Sequence, residues 1–192
     1  MIIGITGGTG CGKTTLLKLV EQAGGLVLDC DAIYHQLLRT DPSLPAAIEA
    51  RFPGTVENGQ LQRKKLGAIV FSDEKALLDL NTITHKAVKQ EVLRQLEARP
   101  KLAAIDAIAL FEGGLAELCD TTVAVTAPTE DRVRRLILRD GITEEYARSR
   151  IAAQHEEDWF RQRCDCILEN NGTEKHFHEK CLAFFYNFGI II

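Results

Sequence analysis

Nowhere does the chain hold an apolar run approaching the roughly 20 residues that a membrane-spanning helix needs, and no basic stretch leads into an apolar one at its amino end. The expectation is a cytoplasmic protein with no membrane partner. A basic surplus is missing too. The net charge is −4, whereas a non-specific nucleic-acid binder carries an excess of Lys and Arg, so no nucleic-acid partner is expected. Local arginines can still bind a phosphorylated small molecule. The six cysteines, Cys11, Cys30, Cys119, Cys164, Cys166 and Cys181, form no Cys-x-x-Cys pair and no zinc spacing. They read as reduced, mostly buried thiols. Internal repeats, low-complexity tracts and linkers are absent as well. What remains is an ordinary globular composition, 45% hydrophobic and 26% charged over 192 residues. That suits one domain with a substantial core, as a monomer or small homo-oligomer.

Against these absences stands one dense motif. Gly7-Gly8-Thr9-Gly10-Cys11-Gly12-Lys13-Thr14 matches G-x-x-x-x-G-K-[ST] at every fixed position. Apolar Met1 to Ile5 precedes it, and helix-forming Leu16 to Glu21 follows. In that strand–loop–helix context the glycines let backbone N–H groups turn inward around a triphosphate, and the new helix aims its positive end at the same anion. Gly8, Thr9, Gly10, Cys11, Gly12, Lys13, Thr14 and Thr15 are therefore candidates for binding ATP. Lys13 would reach the β- and γ-phosphates, and the Thr14 hydroxyl would ligate Mg²⁺. Cys11 inside this loop would make the protein sensitive to oxidation if its thiolate were stabilised there.

Strand-like runs recur at Ile2–Ile5, Leu26–Leu28, Leu102–Phe111, Thr122–Thr126 and Ile167–Leu168, with helix-like stretches between them. That alternation predicts an α/β protein of the P-loop type, a five-stranded parallel sheet flanked by helices. Core segments 1–31, 100–131 and 164–192 are interrupted twice. Residues 32–99 read as a helical, acceptor-binding insertion with turns at Asp41-Pro42, Pro53-Gly54 and Asn58-Gly59, and with one long amphipathic helix from Lys75 to Arg99 stopped by Pro100. Residues 132–163 hold eight arginines, Arg132, Arg134, Arg135, Arg139, Arg148, Arg150, Arg161 and Arg163. This segment reads as a phosphate-clamping lid, since the arginine fork donates two hydrogen bonds at once. Most of its individual arginines have the simpler reading of solvated partners for nearby glutamates.

A GTPase would carry Asn-Lys-x-Asp to read guanine, and no Asn-Lys occurs in the chain. Phosphoryl transfer to a small acceptor fits better, with the lid excluding water. Such a transfer calls for a carboxylate near the acceptor hydroxyl. Asp29 and Asp31 lie at the end of the second strand run, two residues apart and so pointing the same way. Asp31 opens the insertion and is the expected base, while Asp29 can equally be a helix cap. Asp106 and Glu112 bracket the third run, with Asp106 expected mid-strand. Another small-acceptor kinase, or a nucleotide-responsive binding protein, stays open at this point.

Thr6 to Thr15, Leu28-Asp29-Cys30-Asp31, Leu110-Phe111-Glu112-Gly113-Gly114-Leu115, Arg139-Asp140-Gly141 through Arg150-Ile151-Ala152-Ala153-Gln154, and Asn170-Asn171-Gly172 together resemble the dephospho-coenzyme A kinase family. The likeness runs nearly end to end. It implies transfer of the γ-phosphoryl of ATP to the ribose 3′-hydroxyl of dephospho-coenzyme A, the last step of coenzyme A synthesis. By position, it makes Asp31 the base and Lys13 and Thr14 the phosphate and Mg²⁺ residues. Arg139 becomes the lid arginine at the transferring phosphoryl, supported by Arg148 or Arg150. It also implies an acceptor site with His35, Gly59, Arg63, His85 and Glu112, and an adenine-side loop at 170–172 that includes Asn171. The chain departs from the family pattern at His35, where an arginine is usual, at Lys86 after His85, and at Ile108-Ala109, where a proline is usual.

Overall fold

The five apolar runs pair into one sheet. In the computed structural model, which describes all 192 residues, the strands are β1 (Ile2–Thr6), β2 (Leu26–Asp29), β5 (Ala103–Asp106), β6 (Thr121–Thr126) and β7 (Cys166–Glu169). Two short strands, β3 (Val56–Glu57) and β4 (Gln60–Leu61), form a separate hairpin. The helices are α1 (Lys13–Gln22), α2 (Cys30–Thr40), α3 (Ser43–Arg51), α4 (Arg63–Val70), α5 (Glu74–Leu96), α6 (Thr129–Asp140), α7 (Glu144–Ala152), α8 (Glu157–Arg161) and α9 (Glu174–Asn187), with a 3₁₀ turn at Ala116–Leu118. The sheet order is β2-β5-β1-β6-β7. β1 runs parallel to β5 and β6, and β6 parallel to β7. The order reverses at β1, so the loop leaving its carboxyl end opens at the switch point where α/β sheets bind ligands.

The chain divides into two compact units, one of residues 1–27, 100–110 and 116–192, the other of 28–99 and 111–115. In the first, Ile3 and Ile5 of β1 and Val123 and Val125 of β6 are fully buried. Leu16, Leu19 and Val20 of α1 join Phe177, Cys181, Phe184 and Phe185 of α9 in the same core. That core fixes the start of α1 and hence the loop before it. A smaller cluster of Val133, Leu136, Ala147 and Ile151 pins α6 to α7.

In the second unit α5 packs against α2, α3 and α4. Asp73 caps α5, accepting from the Lys75 amide at 2.8 Å. This helix ends at Leu96 rather than at Arg99. Arg99 precedes a proline, which disfavours helical backbone, and it sits at φ 49°. The Asn58-Gly59 turn joins β3 to β4, with both residues at positive φ (51° and 75°). That is the backbone a tight hairpin requires.

Two further sequence-based expectations change. The strand expected over Leu102–Phe111 ends at Asp106, making Asp106 its last residue rather than a mid-strand one. Asp29 is the final residue of β2 and the cap of α2, accepting from the Ala32 amide at 2.9 Å. Asp31 lies in the first turn of α2, so the two carboxylates do not share a strand face. The cap ends the strand at Asp29, two residues short of Asp31.

Candidate active site

The loop from Gly7 to Gly12 is held by its carbonyls. The Gly7 oxygen accepts from Lys13 Nζ at 2.9 Å, the Thr9 oxygen from Arg132 Nε at 2.9 Å, and the Gly10 oxygen from Arg135 Nη1 at 3.0 Å. The Cys11 oxygen accepts from Asn170 Nδ2 at 2.8 Å and from Arg135 Nη1 at 3.3 Å. The Gly8 oxygen takes the Cys11 amide, and the Gly12 oxygen the Thr15 amide. A trans peptide is planar with its N–H opposite its C=O. Tying carbonyls outward therefore turns the following amides inward. The amides of Gly10, Gly12, Lys13 and Thr14 have no acceptor within the protein, which leaves four donors for an anion.

Gly12 stands at φ 103° as the residue before α1, and a Cβ there would lie 2.5 Å from Asn170 Nδ2. No acidic residue occupies the first turn of α1, so the helix dipole is unopposed at this end. Lys13, Arg132 and Arg135 add positive charge. Burial raises the pKa of the Cys11 thiol, against the smaller opposing pull of Arg132 and Lys13. With 2% exposure, Cys11 is a buried thiol, as expected of the cysteines, and the condition set for oxidation sensitivity, a stabilised thiolate, is not met.

The remaining candidate residues have surroundings of their own. Arg139 binds Asp140 through Nε at 2.6 Å and Nη2 at 3.0 Å, and Arg150 meets the same carboxylate at 2.9 Å. The Arg139 pairing first, with Arg150 behind it, lowers Asp140 to about 2. Arg148 pairs with Glu130 and Glu144. Arg161 pairs with Glu157 and Glu169, and Arg163 lies over the Trp159 ring. Asn171 is exposed and meets Glu169 and Lys180 at 3.3 and 3.2 Å. In the other unit, Arg63 Nη2 donates to His35 Nδ1 at 3.2 Å, which requires that ring nitrogen to be unprotonated. Asp31 and Glu112 are exposed, and His85 is half-buried on α5. Thr14 presents its hydroxyl from an exposed position at the start of α1.

Four residues touching the loop were not singled out as site residues: Arg132, Arg135, Gln154 and Asn170. Two were among the eight arginines of residues 132–163, but helical spacing alone does not tell a loop-facing arginine from one paired with a neighbouring acid. Gln154 and Asn170 lay inside the motifs that carried the resemblance.

A phosphate loop after the central strand of a parallel sheet, with open amides and two arginines of α6 upon it, is the arrangement of a P-loop kinase. The comparisons agree. A family model described as dephospho-CoA kinase matches residues 1–176. The dephospho-CoA kinase of Geobacillus kaustophilus is 37% identical over 95% of this chain and 94% of its own. A crystal structure from Thermus thermophilus superposes with a TM-score of 0.83 at 33% identity, covering 97% of this chain and 96% of that one. Shikimate kinase from Bacteroides thetaiotaomicron shares the fold, with a TM-score of 0.55 at 15% identity, over 98% of each chain. The chain belongs to the dephospho-CoA kinase family.

Proposed function

We propose that this chain transfers the γ-phosphoryl group of ATP to the ribose 3′-hydroxyl of dephospho-coenzyme A, yielding coenzyme A. The observation that carries the reading is the loop of Gly7 to Thr14 with its Thr9, Gly10 and Cys11 carbonyls tied by Arg132, Arg135 and Asn170 and four amides open, in a chain of this family. Lys13 exchanges the Gly7 carbonyl for phosphate oxygens, and its charge offsets the negative charge that spreads over the transferring group. Asp31 takes the proton of the 3′-hydroxyl. Arg139 exchanges Asp140 for the transferring phosphoryl, one anion for another, with Arg148 or Arg150 beside it. His35, Arg63, His85 and Glu112 hold the acceptor, and Asn171 lies on the adenine side.

No group of three or more His, Cys, Asp or Glu side chains can hold a metal alone, a donor set that suits Mg²⁺ carried chiefly by phosphate oxygens and water. The exposed Thr14 hydroxyl is the protein oxygen for it, and the ion would neutralise charge between the β- and γ-phosphates. No disulfide joins any of the six cysteines, as suits a reducing compartment such as the cytoplasm; no helix is long and apolar enough to cross a membrane.

The test is ADP release from ATP and Mg²⁺ with and without dephospho-coenzyme A, with the product's phosphate position read by mass and NMR. Acceptor-dependent release with a 3′-phosphorylated product is expected. Turnover of a nucleoside but not of dephospho-coenzyme A would replace the acceptor, and ATP binding without any turnover would remove the catalytic reading.

A further inference from the structure

Three hydrogen bonds close a ring at the crest of the phosphate loop. Arg132, in the first turn of α6, donates from Nε to the Thr9 carbonyl oxygen at 2.9 Å and from Nη2 to Gln154 Oε1 at 2.8 Å. Gln154, just beyond α7, uses that same oxygen to accept the Thr9 amide at 2.9 Å. Both polar backbone groups of Thr9 are thus gripped by one arginine–glutamine pair. Thr9 is the only loop residue held by side chains through its amide and its carbonyl alike. The pair also fills the space beside Gly8, where a Cβ would overlap the Arg132 guanidinium and lie 2.9 Å from Gln154 Oε1.

Thr9 is flanked by Gly8 and Gly10, and glycine lets an adjoining peptide rotate at little cost. If the Thr9–Gly10 peptide turned over, its carbonyl would replace the Gly10 amide on the inner side and repel phosphate. Arg132 holds that carbonyl outward, and Gln154 fixes both Thr9 and the arginine that does the holding. We infer that Arg132 and Gln154 are a coupled pair of positioning residues that orient the Thr9–Gly10 peptide, so that the Gly10 amide faces the phosphates. On this reading the pair acts on the phosphates through the Thr9–Gly10 peptide. The pair ties α6 and the end of α7 to the loop, so the helices after β6 set the loop's shape as well as bearing arginines.

The inference rests on the reading of the loop as an ATP site but not on the acceptor, so it is tested by binding alone. Calorimetric titration of ATP and of ADP into wild type, Arg132→Met, Gln154→Leu and the double variant separates the possibilities. A phosphate loop cradles the inner phosphates as well as the γ. Each single substitution should therefore weaken ATP and ADP by the same factor, about tenfold. The double should fall no more than about twofold below the weaker single, because either change already frees the peptide. Gln154→Glu keeps an oxygen that accepts from both donors and should bind ADP better than Gln154→Leu. If Gln154→Leu does not fold, Arg132→Lys, which can reach one acceptor but not both, takes its place with the same expectation. Losses that multiply in the double variant, a loss confined to ATP, unchanged binding in both singles, or Gln154→Glu binding ADP worse than Gln154→Leu would each overturn the proposal. Tight ADP binding without acceptor turnover would sink the proposed function and leave this inference standing.

Discussion

The side-chain amide of Asn170 donates to the Cys11 carbonyl oxygen at 2.8 Å, joining the end of β7 to a loop laid down 159 residues earlier. Asn170 is only 6% exposed, and its own amide donates to the Thr126 oxygen at 2.7 Å. The bond aims the Gly12 amide inward.

Removing this tie leaves a buried carbonyl with one partner fewer. Asn170→Ala should destabilise the fold by about 1–3 kcal/mol, read as a shift in urea midpoint at constant slope, and should weaken ADP binding. Gly12→Ala should be worse for binding. Its φ of 103° is hostile to a side chain, and the new Cβ would sit 2.5 Å from Asn170 Nδ2. Wild-type ADP affinity in Gly12→Ala would show that the loop tolerates another backbone path.

Lys13 rests on the Gly7 oxygen at 2.9 Å. Losing that one partly exposed hydrogen bond is a small change to the fold, so Lys13→Ala should fold normally. Turnover is another matter, because the ammonium is assigned to charge that grows in the transition state. A kcat reduced by at least about 10²-fold is expected, measured as acceptor-dependent ADP release. A variant that lost only affinity for ATP, with kcat intact, would make Lys13 a ground-state binder.

Much of this architecture was legible in the residues. Phosphate-loop spacing is rigid because each glycine answers a steric need, and buried parallel strands announce themselves as apolar runs, so β1, β2, β6 and β7 were each placed within a residue or two. Strand ends were less legible. The run from Leu102 stays apolar past Asp106, yet the chain leaves the sheet there and passes into turns. Apolarity marks burial, not sheet membership. The arginines were least legible of all. Arg134, Arg139 and Arg148 find acids within four residues, while Arg132 and Arg135 reach loop carbonyls more than 120 residues away in sequence. Nothing local distinguishes the two groups.

Asp29 and Asp31 separate by role. Asp29 caps α2 through the Ala32 amide at 2.9 Å, so Asp29→Ala should cost about 1 kcal/mol of stability, while Asp29→Asn, still able to cap, should cost little. Asp31 is exposed in the first helical turn. Asp31→Asn should leave stability nearly unchanged and lower kcat at least about 10²-fold. Paired urea unfolding and turnover assays on all three variants check the division. Full turnover in Asp31→Asn would remove that residue from proton transfer.

Cys11 offers a test of burial over charge. The thiol lies among cations that favour its ionised form, but desolvation outweighs them and raises its pKa. The reactive species is the thiolate, and reagent must also reach it. Brief iodoacetamide treatment of the native protein at neutral pH should therefore leave Cys11 unmodified and ATP binding intact. Cys166, which is partly exposed where Cys11 is buried, should be labelled ahead of it. Peptide mass mapping after quenching reads both outcomes, and early labelling of Cys11 would mean that the loop opens far more often than its packing implies.

Asp165 gives the fold a pH dependence of defined sign. Its Oδ2 accepts from the Thr122 amide at 2.7 Å and from the Thr122 hydroxyl at 2.8 Å, and the same hydroxyl oxygen accepts the Asp165 amide at 3.1 Å. The backbone bond first, then the hydroxyl, holds the carboxyl below its usual range. A depressed folded pKa means that the unfolded chain takes up the proton first. The stabilisation is thus complete above the unfolded value of about 3.9 and disappears as pH falls through the folded value. Urea unfolding of wild type and Asp165→Asn should show a wild-type advantage that is flat from pH 7 to pH 5 and shrinks below pH 4. Because Asn is nearly isosteric with the protonated acid, the two curves should converge in strong acid. An advantage undiminished at pH 2 would show that the difference between Asp and Asn does not come from the carboxylate charge held by the Thr122 donors.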